Sequence, residues 1–153
     1  MNTNPDIHLE MQGNVAVVRL TRPTKRNALN DGLIASLRHI FENLPKEARA
    51  AVVAGEGEHF CAGLDLSELK ERDAGEGVYH SRSWHVALDR VQSGPVPVIA
   101  ALHGAVVGGG LELASACHIR VADESTFYAL PEGTRGIFVG GGGAVRIPRL
   151  IGV

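Results

Sequence analysis

Residues 104–117, GAVVGGGLELASAC, place three consecutive glycines between two apolar runs, and the second run holds a lone carboxylate, Glu112. Glycine loses more backbone entropy on folding than any other residue, and a carboxylate within an apolar run risks burying a charge. A chain that accepts both is tightly constrained at this point. The apolar stretch VPVIAAL (96–102) reads as a strand, the glycines as a turn, and the following run as a helix.

The same alternation runs through the rest of the chain. IHLEM and NVAVVRL are strand-like and split by Gly13-Asn14, a hairpin signal. TRPTKRNALN reads as a loop from its proline and polar content. Leu33, Ile34, Leu37, Ile40, Phe41 and Leu44 keep a helical rhythm, with Pro45 just past its end. AAVVAG is a strand, and EGEHFCAGLDLSELKER a loop that enters a short helix with Asp65 as its N-cap. Residues 71–77, charged and glycine-containing, are expected to be mobile. A second helix carries Trp84, Leu88 and Val91 and stops at Gly94-Pro95. HIRVAD and TFYAL read as strands, and GGAVRIPRLIG as a helix interrupted by Pro148. Strands and helices therefore alternate at intervals of roughly 40 residues, the pattern of an α/β layered fold.

At 153 residues the chain is expected to form a single domain over 1–153. A chain of that size buries roughly 70% of its unfolded surface. A net charge of −2 gives no global pull toward nucleic acid or an anionic membrane, and the tight basic cluster is Arg19, Arg22, Lys25 and Arg26. Cys61 and Cys117 are too few for a disulfide scaffold, which fits a reduced, cytoplasmic protein. The seven histidines form no pair at helical zinc spacing, so no metal site is expected. The polar start MNTNPDIHLE reads as neither signal nor transit peptide, and no apolar run reaches the length of a membrane span. Val153 follows an apolar helical segment without a polar tail, as expected of part of a longer protein.

Strand, glycine turn and helix together make an anion site, because free N–H groups and the helix dipole converge there. A phosphate loop would need Gly-Lys-Ser/Thr, where the sequence has Gly110-Leu111-Glu112, and the dinucleotide fingerprint would need glycine at 111 or 113, which are leucines. Residues 140–143, a second glycine run, also lack the right ending. A smaller developing charge remains: the oxygen of an enolate. Gly109 could bring its N–H close to such an oxygen, and preorganised amides of this kind are worth roughly 3–4 kcal/mol each. Glu112, three residues on, projects from the same helical face. Alternatively, the glycines only permit close packing and Glu112 only favours the helix dipole. Against that, Glu112 is the only ionisable acid or base between His103 and His118, and a second carboxylate, Glu132, stands behind the stiff Pro131. Two carboxylates at one site would separate in pKa, giving a base and an acid.

HFCAGLDLSEL, AALHGAVVGGGLELASACHIRVAD and LPEGTRGIFVGGGGAVRIPRLIG, in that order and preceded by LTRPTKRNALN, resemble the enoyl-CoA hydratase/isomerase (crotonase) family. The resemblance implies a crotonase-like α/β spiral of ββα repeats, of which these residues are the N-terminal core portion, without the C-terminal helices. It implies an oxyanion hole of the Leu64 and Gly109 amides, with Glu112 and Glu132 as catalytic residues. It places acyl-CoA along Ala62, Gly63, Asp65 and Leu66, with Ala28, Gly108 and Pro131 alongside and Lys25 and Arg26 near the phosphates. Coenzyme A is then part of the substrate, no further cofactor is needed, and a homotrimer or a dimer of trimers is expected.

The implied chemistry is syn addition of water to a 2-enoyl thioester. Glu112 deprotonates the water that attacks C3, and Glu132 holds that water and delivers the proton at C2. Retention of both glutamates favours a hydratase over an isomerase; an isomerase, another acyl-CoA lyase or hydrolase of the family, and a non-catalytic acyl-CoA-binding module stand as the alternatives. Val139 departs from the family pattern, and the Tyr128 hydroxyl is expected near the acyl pocket. Other chemistries fit poorly. No G-x-S-x-G elbow occurs, Ser115 lacks an arranged base, and Cys61, two residues from His59, reads as a packing residue.

Overall fold

The computed structural model describes residues 4–68 and 70–152. Residues 1–3, Leu69 and Val153 lie outside the described residues, and with them the start of the polar N-terminus, one position of the short helix expected after Asp65, and the closing residue.

Strands β1 (Ile7–Gln12) and β2 (Val15–Leu20) pair antiparallel through the expected Gly13-Asn14 turn. From β2 onward the large sheet is parallel: β3 (Ala50–Gly55), β4 (Val98–Leu102) and β6 (Ile119–Ala122) follow, in the order β1-β2-β3-β4-β6. Parallel neighbours require long crossovers. Here α1 (Asp31–Glu42) joins β2 to β3, α2 (Ala74–Gln92) joins β3 to β4, and α3 (Gly109–Ala116) lies between β4 and β6.

A second layer runs beside the sheet. Strands β5 (Ala105–Val107) and β7 (Phe127–Ala129) pair in parallel, and isolated bridges join Cys61 to Val106 and Leu29 to Leu64. Each turn of the chain thus leaves a strand on the large sheet, an extended segment in the second layer and a helix outside. This is the expected α/β spiral of ββα repeats. The spiral matters for function because it stacks the loops at 62–65 and 107–109 in successive turns.

Helix boundaries follow local chemistry. Asn30 caps α1 by accepting from the Leu33 amide at 2.8 Å, and Leu33, Ile34, Leu37, Ile40 and Phe41 are its buried face. The helix ends at Asn43, so Leu44 falls outside it. Residues 71–77 are not a loop throughout: Ala74 onward is helical, started by a capping box. The Glu76 amide donates to Asp73 Oδ1 at 2.8 Å, and the Asp73 amide donates to Glu76 Oε2 at 3.1 Å. The final helix, α4 (Gly143–Ile151), runs through Pro148 rather than stopping there, and the Gly152 amide closes on the Pro148 carbonyl at 2.9 Å.

The core fills the space between the large sheet and the helices, with Val18, Leu20, Val53, Leu33, Leu37, Leu88 and Leu113 all fully buried. Each such side chain contributes about 1.5–3 kcal/mol on burial. Strands β6 and β7 instead expose Ile119, Val121, Phe127 and Tyr128. Among the described residues no helix is long and apolar enough to cross a membrane.

Candidate active site

The glycine run is explained by what surrounds it. Gly108 adopts φ 52° and ψ −121°, a conformation essentially closed to residues with a Cβ, and a Cβ there would lie 2.7 Å from Glu132 Oε1. A Cβ on Gly110 would overlap the Cys61 carbonyl oxygen and lie 2.8 Å from the Cys61 Cβ. Helix α3 therefore begins in direct backbone contact with the segment around Cys61. Gly63 turns that segment at φ 94°, and a Cβ there would lie 2.8 Å from the Val107 carbonyl oxygen.

This close approach brings two main-chain amides together. Their neighbours are engaged: Leu29 N donates to Gly63 O at 2.7 Å, Asp65 N to Leu29 O at 2.8 Å, and Gly108 N to Ala129 O at 2.9 Å. The Leu64 and Gly109 amides donate to no group among the described residues. A Cβ built on Gly109 would stand 3.7 Å from Leu64 N. Both residues line one cavity of about 270 Å³, together with Glu112, Glu132, Trp84, Ile137 and Phe138.

Both glutamates reach that cavity from different elements. Glu112, on the first turn of α3, is only 4% exposed, and its Oε1 accepts from the Gly143 amide at 2.8 Å. Burial pushes its pKa up. The Gly143 and Gly141 amides pull it back in part, and the neighbouring Glu132 carboxylate pushes it further up. Glu132 opens a 3₁₀ turn, Glu132–Arg135, behind Pro131 and is 8% exposed. Its Oε2 is buried and has no hydrogen-bond partner among the described residues. An unsatisfied buried polar atom costs about 1–3 kcal/mol, and more when charged, so this oxygen marks a place built to receive a polar group.

The other residues singled out by sequence fall into two sets. Gly63 and Gly108 shape the paired loops, and the Ala62 amide donates a hydrogen bond to the Arg26 carbonyl at 2.9 Å. Asp65 is buried and committed to structure: its Oδ2 pairs with Arg22 Nη2 at 3.0 Å, and its Oδ1 accepts from the Ser67 hydroxyl at 2.6 Å and the Ser67 amide at 3.1 Å. The Ser67 hydroxyl foremost holds the Asp65 carboxyl below its ordinary range. Arg22 also grips Asp6 Oδ2 at 3.1 Å and the carbonyl of the buried Ala28 at 2.9 Å, so it is spent within the basic cluster. Lys25 and Arg26 are exposed, as is Leu66, whereas Pro131 is half-buried.

Three further expectations meet the geometry. Tyr128 is exposed on β7, as are both its strand neighbours, and is not among the residues lining the cavity. Ser115 donates to the Glu112 carbonyl at 2.7 Å, inside its own helix. Cys61 is fully buried and its thiol is pushed up to about 12 by burial, which makes it a packing residue rather than a nucleophile. The Gly141 and Gly143 amides were missed as partners of Glu112, since residues 140–143 carried a signal only as a failed phosphate loop.

Comparison with known proteins gives a consistent result. The family model for enoyl-CoA hydratase/isomerase matches residues 10–153. The short-chain-enoyl-CoA hydratase of Clostridium acetobutylicum is 36% identical over 151 residues, covering 97% of this chain and 58% of that protein. A solved structure from Rhodopseudomonas palustris CGA009, named a "putative enoyl-CoA hydratase", is 61% identical with a TM-score of 0.94, over 96% of this chain and 57% of that one. A Thermobifida fusca YX structure of the same name, in complex with CoA, is 26% identical with a TM-score of 0.89, over 96% of this chain and 60% of that one. The chain spans about half to three-fifths of the length of the curated relatives it matches. With an α/β spiral that stacks two loops over one cavity, and a family match over nearly all of its residues, this chain belongs to the enoyl-CoA hydratase/isomerase family.

Proposed function

We propose that this chain carries the hydratase chemistry of its family: reversible syn addition of water to a 2-enoyl-CoA thioester. One observation carries the reading. Leu64 and Gly109, whose amides donate to no group among the described residues, and two buried glutamates from separate elements line the same cavity. The amides polarise the thioester oxygen and stabilise the enolate formed when water adds. Glu112, held by glycine amides and raised in pKa by burial, takes the proton of the attacking water. Glu132, with one oxygen unsatisfied, helps hold that water and supplies the proton at C2. The apolar wall of Trp84, Ile137 and Phe138 suits an acyl chain.

The CoA portion is placed along Ala62, Gly63, Asp65 and Leu66, with Ala28, Gly108 and Pro131 beside it; Asp65 acts there through its backbone. Lys25 and Arg26, exposed on the same loop, meet the phosphates. The Thermobifida fusca relative solved with CoA supports this ligand class. A cytoplasmic location and a homotrimeric or dimer-of-trimers assembly belong to the same reading, the latter supported by the exposed apolar residues of β6 and β7.

Purified protein should hydrate crotonyl-CoA and leave a 3-enoyl-CoA unshifted. Glu112→Gln and Glu132→Gln should each slow hydration by on the order of 10²–10⁴-fold while keeping the parent's circular dichroism. Double-bond migration without a hydroxylated product would make the chain an isomerase. Near-normal turnover in either variant would remove that glutamate from the mechanism.

A further inference from the structure

Behind Glu112, on the far side of the glycine loop, lies an arginine that no step above uses. Arg146, on α4, is only 7% exposed. Its Nη1 donates to the Gly141 carbonyl at 2.9 Å, its Nε to Gln92 Oε1 at 2.6 Å, and its Nη2 pairs with Asp89 Oδ1. Gln92 and Asp89 both stand on α2, and so does Ser81, whose hydroxyl donates to the Gly140 carbonyl at 2.9 Å. The loop 140–143 is thus tied through its carbonyls to α2 and Arg146, while its Gly141 and Gly143 amides face Glu112.

We propose that Arg146 is a positioning residue for Glu112: its guanidinium clamps loop 140–143 so that the loop amides hold the carboxylate in one orientation. The function of that orientation rests on the hydratase reading above; the clamp itself does not. A glycine run is the least rigid backbone available, and Gly142, at φ 100°, sits in the left-handed region. Left to itself such a loop would sample many conformations, and a base that must meet one water molecule needs a fixed direction. The guanidinium reaches its three acceptors from three different nitrogens in one rigid plane, a spread that the single nitrogen of a lysine ammonium does not reproduce.

The charged and titratable groups around Glu112 among the described residues are few. Glu132 faces it from the 3₁₀ turn and Arg146 from α4. His80 on α2, with Lys70 and Arg72 ahead of α2, lines the same cavity. His85 contacts Asp89 at 3.5 Å, on the far side of Arg146. Removing Arg146 takes away a cation and loosens two amide donors. Both losses disfavour the Glu112 anion, so its titration must move to higher pH.

Three variants, Arg146→Met, Arg146→Lys and Gln92→Leu, test this, with ¹³C-carboxyl NMR following the titration of Glu112 and kcat/KM for crotonyl-CoA measured against pH. Arg146→Met is expected to raise the Glu112 midpoint, to move the acid limb of kcat/KM upward with it, and to lower kcat on the order of 10–100-fold with KM changed less than about threefold. Arg146→Lys should recover only part of this. Gln92→Leu, at an exposed position on α2, removes an anchor of the guanidinium without changing any charge; it should shift the midpoint in the same direction by less, and it decides the matter if Arg146→Met does not fold. A Glu112 midpoint unmoved in the folded variants, or a loss confined to KM, overturns the proposal. If the parent hydrates no enoyl-CoA, the hydratase reading fails alone, because the NMR midpoint still reports on the clamp.

Discussion

Gly108→Ala is the sharpest probe of the backbone that builds the site. Two penalties arise at this position. The alanine must take φ 52° and ψ −121°, and such backbone conformations cost about 1–3 kcal/mol in residues other than glycine. Its methyl would also lie 2.7 Å from Glu132 Oε1, so the carboxylate must swing aside by some tenths of an ångström. Together these should cost about 2–4 kcal/mol, which for a chain of this size lowers Tm by roughly 5–12 °C. Turnover should fall on the order of 10–100-fold because Glu132 is displaced. Gly133→Ala is the matched control: it has an ordinary φ and open space around its Cβ, and should change stability by less than about 0.5 kcal/mol. Calorimetry and crotonyl-CoA hydration on both variants give the answer. A Gly108→Ala protein that melts within about 1 °C of the parent and turns over normally would refute the reasoning.

Glu112→Gln should stabilise the protein at neutral pH while disabling it. The folded pKa of Glu112 lies above its unfolded value, so its contribution is fullest below the ordinary glutamate range and is lost as pH rises through the folded value. Glutamine escapes that loss, at about 1.4 kcal/mol per unit of elevation; urea melts at neutral and acidic pH should show a gain that shrinks on acidification, and a neutral-pH loss would contradict it. Gly77→Ala, inside α2 with an ordinary φ and nothing near its Cβ, should add about 0.5–1 kcal/mol, seen as a higher Tm. Asp65→Asn should cost about 2 kcal/mol in urea melts, because the Arg22 pair is part-buried; a neutral result would show that Ser67 and the backbone alone hold the 62–65 loop.

Local chemistry made most of the fold legible in advance. The apolar period of residues 33–41 and the cap at Asn30 determine α1, and Gly13-Asn14 determines the β1–β2 hairpin. The glycines at 108–110 could be read as a backbone approach because no other residue type tolerates one. The start of α2 was equally local, written in Asp73 and Glu76, but was hidden by the neighbouring glycines. Proline in α4 misled for a related reason: it removes one hydrogen bond, and the buried Arg146 and Ile147 hold the helix through it.

Tertiary structure decided the partnerships. Glu112 and Gly143 are 31 residues apart, and Arg146 reaches Gln92 and Asp89 across 54 and 57. No periodicity encodes such contacts, because they depend on how successive turns of the spiral stack. That stacking also spends Arg22 on Asp65 and turns Tyr128 away from the cavity, two outcomes that residue type and spacing leave open. The chemistry available at each position was in the sequence; which groups face one another was settled only when α3, α4 and the 3₁₀ turn at Glu132 closed around a single cavity.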